Sequence, residues 1–283
     1  MSALTIAQAL PYVNWMVLAA LGVGAFAYVV LAARLTDATR GYLRFTAACA
    51  ATLGGLALAA DLALEPQLAL PEGAALAIRA AAPELDALRR AGLAVFALAG
   101  LVYVAAAPRR PRVDPLGAIS LAAGAGALAA AAVGWAPTAA DSVPLMIQLL
   151  VLAAAAGGSL ATLILGHWYL VTPKLSAGPL ASLTRLLLWA IAIQALLFVL
   201  WTTLGTGPWQ EAWTSLTGPA ALFVWLRLLV SLLFAIVLTA MALRTAQMRS
   251  MESATGLLYI NLAAVLAGTI GAAALYVSAG LLV

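Results

Sequence analysis

Residues 17–32 read VLAALGVGAFAYVVLA, a run without a single charged side chain. The whole chain shares this character, because 65% of its 283 residues are hydrophobic and only 8% are charged. A soluble domain carries roughly 25% charged residues. A helix that crosses a bilayer needs about 20 mostly apolar residues, which runs of this kind supply. The composition therefore predicts a multi-pass protein of the cell membrane.

Charged, proline-rich and glycine-rich breaks divide the chain into eight candidate spans. The N-terminal MSALTIAQALPYVNW has no basic region and no small-residue cleavage site, so the first apolar run is kept as a span and not as a signal peptide. The predicted fold is an all-α bundle of eight transmembrane helices, forming one integral membrane domain over residues 1–283. The candidate spans cover residues 12–33, 45–64, 91–107, 116–135, 145–170, 183–204, 219–243 and 255–281.

The two halves of the chain resemble each other. Residues 17–32 align without a gap on VLAAAAGGSLATLILG at 151–166, and the third span aligns on the seventh so that Arg90 pairs with Arg227. Four helices in each half would make two parallel repeats, related by an axis along the membrane normal. Chance similarity between helices rich in alanine and leucine is the alternative. The predicted repeats are residues 12–135 and 145–281.

Lysine and arginine concentrate on one side of the predicted membrane. Cytoplasmic loops carry an excess of these residues, so the side with ten of them is inner and both termini face outward. This charge reports orientation, and it gives no support to a nucleic-acid partner; membrane lipid is the expected contact. The inner residues are Arg34, Arg40, Arg44, Arg109, Arg110, Arg112, Lys174, Arg185, Arg244 and Arg249, and the three outer ones are Arg79, Arg89 and Arg90.

The long outer loop at residues 65–90 has two interpretations. From Ala74 onward it has the pattern of an amphipathic helix interrupted at Pro83, which would lie on the outer surface as a cap. Its membrane-facing residues would be Leu76, Leu85 and Leu88. Loops accept extra length at little cost, so a tolerated insertion is the alternative.

Two ionisable residues lie inside the outer halves of predicted spans. Asp61 is near the outer end of the second span and Arg227 is near the outer end of the seventh. Ionisable groups are costly in a bilayer and usually face the bundle interior or water, so they are the first functional candidates. We predict a buried Asp61–Arg227 ion pair that orients a quinone headgroup or an anion. A purely structural pair or snorkelling to the interface is the alternative.

His167, the only histidine, lies near the inner end of the fifth span beside Trp168 and Tyr169. This grouping is typical of the aromatic belt at a membrane surface. A quinone carbonyl hydrogen-bonded to the imidazole is the other interpretation, and it would form a second, inner site. One histidine cannot supply both axial ligands of a bis-histidine haem, so no haem is expected within this chain alone. The sequence also has no Cys/His cluster for a metal and no phosphate-binding loop.

Three short matches are similar to the eight-helix membrane-anchor subunits of the polysulfide reductase and DMSO reductase type. They are AADLALEP with Asp61, WLRLLV with Arg227, and LAGTIGAAALY in the last span. The histidine and the glycine-proline-arginine turn that follow the second span in that family are missing here, and so is the arginine of its last span. The resemblance implies outward termini, two four-helix halves and a subunit without a metal of its own. It also implies docking to iron-sulfur and catalytic partners that supply the redox chemistry.

These observations favour an integral subunit of a multi-protein complex of respiratory electron transfer. Its expected role is to anchor partner subunits and to bind quinone, at most as a non-catalytic or quinone-binding part of an oxidoreductase. A small-solute transporter or channel with its path between the two halves is one alternative, although no proline or glycine break interrupts corresponding spans. A structural or assembly protein without a ligand is the other.

Overall fold

A computed structural model describes residues 3–64, 77–78, 81–106, 115–172 and 175–283, without the side chains of residues 3–7. The described chain is all-α and contains eight helices long and apolar enough to cross a membrane, which confirms the predicted fold class. The helices are α1 (Ala3–Leu35), α2 (Arg40–Leu62), α3 (Pro83–Ala106), α4 (Pro115–Trp135), α5 (Ala139–Val171), α6 (Gly178–Leu204), α7 (Ala221–Gln247) and α8 (Met251–Ala279).

The eight predicted spans are present, but their ends differ. The difference with the greatest consequence is in α3, which begins at Pro83 and not at residue 91. The prediction that Pro83 interrupts a helix is therefore wrong. Proline at the first position of a helix loses no hydrogen bond, because that N–H has no partner inside the helix. The first turns of α3 thus belong to the span, and they carry Arg89 and Arg90 with them.

Helices α1 and α5 are the most deeply buried of the eight spans, and they cross with their backbones in contact. A Cβ atom on Gly24 would lie 1.7 Å from the carbonyl oxygen of Ala153, and one on Gly157 would lie 2.1 Å from the amide nitrogen of Ala25. Gly158 receives the ring of Tyr28 in the same region. Only glycine allows so close an approach, as is common where membrane helices pack on small residues.

The other six helices complete two groups of four around this crossing, α1–α4 and α5–α8. In each half the consecutive helices pack against one another, so that α2 lies between α1 and α3, and α6 lies beside α5 and α7. Helix α1 also contacts α8, and α4 contacts α5. The two halves thus have the same order of neighbours, while their origin by duplication stays a prediction.

We call the end of the bundle that holds Asp61 and the start of α7 the outer end, after the predicted orientation. Ala77 and Ile78 are buried there, and the Ala77 amide donates to the Val277 carbonyl over 2.9 Å. The amide of Leu282 donates to Gln210 Oε1 over 3.0 Å. Leu85 and Leu88 of the predicted cap belong to α3. Residues 65–76 and 79–80, which include Leu76 and Arg79, lie outside the described residues, as do Arg109, Arg110, Arg112 and Lys174.

Candidate functional site

The carboxylate of Asp61 is fully buried at the end of α2 and faces two arginines of α3. Arg89 Nε donates to Oδ2 over 2.5 Å and Arg89 Nη2 donates to Oδ1 over 3.1 Å. Arg90 Nε donates to Oδ1 over 2.9 Å. A buried carboxylate held by two guanidinium groups in this way is a structural ion pair, because both of its oxygens are already occupied.

The predicted Asp61–Arg227 pair is wrong. Helices α2 and α3 are antiparallel neighbours, so the first turns of α3 lie beside the last turn of α2. Helix α7 packs instead against α6 and α8, on the other half of the bundle. The partners of Asp61 are Arg89 and Arg90. The predicted third span started at residue 91, so both arginines were expected in a loop.

Arg89 is enclosed by groups that suit a cation. Its Nη1 lies 2.7 Å from Asp86 Oδ1, in an ion pair whose geometry is not that of a hydrogen bond. Its guanidinium carbon lies 4.8 Å from the ring centre of Trp135 and 6.0 Å from that of Trp15. Two arginines and two aspartates make this outer cluster electrically balanced. We therefore assign it to the fold and not to ligand binding.

Arg227 is also buried, with 3% of its surface exposed, but its surroundings are different. It begins a π-helical segment, Arg227–Phe234, inside α7. Its Nη1 donates to Ser231 Oγ over 3.3 Å, and Ser231 Oγ donates to the Arg227 carbonyl over 2.7 Å. Its Nε has no hydrogen-bond partner. π-Helical segments inside α-helices occur frequently at functional sites.

No carboxylate balances Arg227 among the residues that the structure describes. The ion pairs at the outer end join Arg89 and Arg90 to Asp61 and Asp86, and none of them includes Arg227. Helices α6 and α7 contain no acidic residue, and the only one in α8 is Glu252, in its first turn at the inner end. The backbone of Arg227 lies about 9 Å along α7 from its outer start, at roughly 1.5 Å per residue.

A cavity of about 210 Å³ lies between α7 and α8 against this guanidinium. Gly268 makes room for it, since a Cβ there would lie 2.6 Å from Arg227 Nη1 and 2.1 Å from Ser231. Phe223, which lines the cavity, is 60% exposed on the side of the bundle that would face lipid. The cavity therefore opens towards lipid and not towards the core. The cavity is lined by Phe223, Leu226, Arg227, Val230, Ser231, Ala264, Ala267, Gly268 and Gly271.

His167 lies apart from both arginine sites, near the inner end of α5. It is exposed, and its Nδ1 is 3.4 Å from the hydroxyl of Tyr259, a long contact. The neighbouring ring of Trp168 lies 6.3 Å from that of Phe45. The position suits an interface belt, which stays a prediction. The three candidate residues thus occupy three separate places, and no group of three metal-ligating side chains occurs in the described part of the chain.

Three polar residues inside the spans join helices through side-chain hydrogen bonds. Asn261 Nδ2 donates to Ser159 Oγ over 3.2 Å, and Thr239 Oγ1 donates to Asn261 Oδ1 over 3.0 Å. This network connects α5, α7 and α8 on the inner side of Arg227. The side-chain amide of Gln194 is buried without a hydrogen-bond partner.

Comparison with protein-family models and with curated proteins found no match to this chain. The similarity to reductase membrane anchors therefore rests on the predicted topology and the short sequence matches.

Proposed function

We propose that this integral membrane protein binds the head of a hydrophobic ligand at Arg227 and works as a subunit of a larger membrane complex. One observation carries the proposal: a buried guanidinium without a carboxylate partner lines a cavity that opens between two spans towards lipid. A charged side chain inside a membrane bundle costs free energy and is retained where it serves a pathway or a ligand.

The cavity has both parts that an amphipathic ligand requires. Its walls of leucine, valine, phenylalanine and small residues suit an apolar tail. Its single cation offers N–H donors from Nε and Nη1 to an oxygen acceptor. The resemblance to reductase anchors implies a quinone, whose carbonyl oxygen would accept from these donors.

The proposal places the ligand at Arg227 alone. Both oxygens of Asp61 are engaged by Arg89 and Arg90, so Asp61 is not available to a ligand. His167 is too far along the bundle to share a small site with Arg227, because it lies near the opposite end. Anchoring of partner subunits is the second part of the proposed role, and it rests on the sequence resemblance.

Photolabelling tests the site directly. Protein in nanodiscs is irradiated with an azido-quinone, and the labelled peptides are identified by mass spectrometry. We expect label on residues 223–231 and 264–271, and its loss in Gly271→Leu, which fills the cavity. Gly256→Leu is the matched control, because a Cβ at either glycine meets nothing within 4 Å but only Gly271 lines the cavity. Label spread evenly over the lipid-facing helices, and unchanged in Gly271→Leu, would contradict the proposal.

Membership of a complex is tested by extraction in a mild detergent. We expect other integral or peripheral proteins to co-purify in fixed ratio with the chain. A homogeneous preparation of this chain alone, from membranes in which it is produced at its natural level, would count against a subunit role.

A further inference from the structure

We infer that the Arg227 cavity selects a ligand with an anionic head, a carboxylate or phosphate carried on a lipid tail, over a neutral one. This inference rests on the proposed binding function and names the ligand class of the same site.

The charges around the cavity lead to this selection. The nearest helices supply no carboxylate, since α6 and α7 have none and Glu252 lies at the inner end of α8. Asp61 and Asp86 already pair with arginines of α3. A neutral ligand such as a quinone would leave the buried guanidinium uncompensated, whereas an anion removes the cost of an isolated charge in a medium of low dielectric constant.

Arg227 has a free donor for such a head. Guanidinium groups bind carboxylates and phosphates through charge-assisted N–H···O bonds. Nε has no partner, and Nη1 has only the long contact of 3.3 Å to Ser231 Oγ. The Nε–H group is therefore left without an acceptor inside the chain.

The walls indicate that the anion belongs to a membrane lipid. The cavity of about 210 Å³ is much smaller than a lipid molecule, so it can hold a head but not a whole lipid. Its mouth lies among lipid-facing residues, including Phe223 and Leu226, which are 60% and 48% exposed. A tail can leave through this mouth into the bilayer.

Native mass spectrometry of delipidated protein tests the inference. The protein in neutral detergent is incubated separately with oleate, phosphatidylglycerol, inorganic phosphate and a neutral quinone. We expect one molecule of oleate or phosphatidylglycerol to be retained and to compete with azido-quinone labelling. Loss of a charge-assisted pair should lower retention by about tenfold or more in Arg227→Gln. Gly271→Leu should block retention while keeping the charge, whereas Gly256→Leu and Arg244→Gln should behave as wild type.

Three outcomes would overturn the inference. They are retention of the neutral quinone alone, retention of inorganic phosphate without either amphiphile, and undiminished amphiphile retention in both Arg227→Gln and Gly271→Leu. A second polypeptide bound in fixed ratio and released by Gly271→Leu would also overturn it, in favour of a partner helix. If azido-quinone labels the cavity but no anion is retained, the proposed function stands and the inference fails. If the cavity is not labelled either, both fail.

Discussion

Arg89 and Arg227 are both buried, yet their environments differ in a way that separates structure from function. Arg89 has two carboxylates and two indole rings around it. Arg227 has one serine hydroxyl and a cavity. A buried cation whose charge is balanced by carboxylates belongs to the fold. A buried cation without a carboxylate requires an anion from outside the chain.

Asp61→Asn should destabilise the protein. The substitution removes the charge that compensates Arg89, whose guanidinium is 1% exposed, and breaking a buried pair in this way costs about 3–5 kcal/mol. Thermal unfolding in detergent should show a clear fall in melting temperature. Asp86→Asn is the control and should cost less, because the Asp86 side chain is 22% exposed to solvent. An equal or smaller effect of Asp61→Asn would show that the pair is not important for stability.

Sequence reasoning found the two unusual residues but not their partners. Asp61 and Arg227 are conspicuous because charge is rare in apolar runs. The partner of Asp61 depends on where α3 begins, and the alanine-rich stretch before Pro83 gave no clear start. Arg227 lacks a carboxylate partner because of the helices that surround it, and hydropathy does not encode that arrangement.

At the scale of the helices, hydropathy was sufficient to find every span. It did not predict the local helix geometry or which helices contact each other. The π-helical segment Arg227–Phe234 contains no proline or glycine, so no residue in it indicated a departure from α-helix. The crossing of α1 and α5 was better encoded, since both helices carry closely spaced glycines, and small residues let membrane helices approach each other. Which glycines meet was still a property of the assembled bundle.

Gly24→Ala should disrupt the crossing of α1 and α5. The new Cβ would lie 1.7 Å from the Ala153 carbonyl oxygen, and backbone cannot move aside as a side chain can. We expect a loss of stability of about 3 kcal/mol or more, measured as a lower melting temperature and a lower yield of monodisperse protein. The same change at Gly55, whose Cβ would meet nothing within 4 Å, should be neutral or slightly stabilising, because alanine favours helix. Similar results for both variants would contradict the close contact.

At the scale of the whole molecule, eight spans place the beginning of α1 and the end of α8 on the same side of the membrane. The distribution of lysine and arginine predicts that this side is the outer one. The number of spans followed from apolar length alone, but the ligand and the partners did not, because they depend on surfaces that are not continuous in sequence.

Cysteine labelling tests the orientation. Cys49→Ser first removes the only cysteine. Ala140→Cys, before the membrane part of α5, should then react with an impermeant maleimide added to intact cells. Ser250→Cys, between α7 and α8, should react only after the membrane is opened; both positions are exposed. The reverse pattern would invert the predicted topology.

The crossing of Gly24 with Gly157 also has a consequence for biosynthesis. About 130 residues separate the two glycines, and a ribosome needs on the order of ten seconds to synthesise that length. During that time α1 is in the membrane without the helix that covers its glycine face. During this interval the glycine face of α1 is not covered by α5. A membrane insertase or chaperone that shields such faces should therefore bind the nascent chain until α5 is inserted.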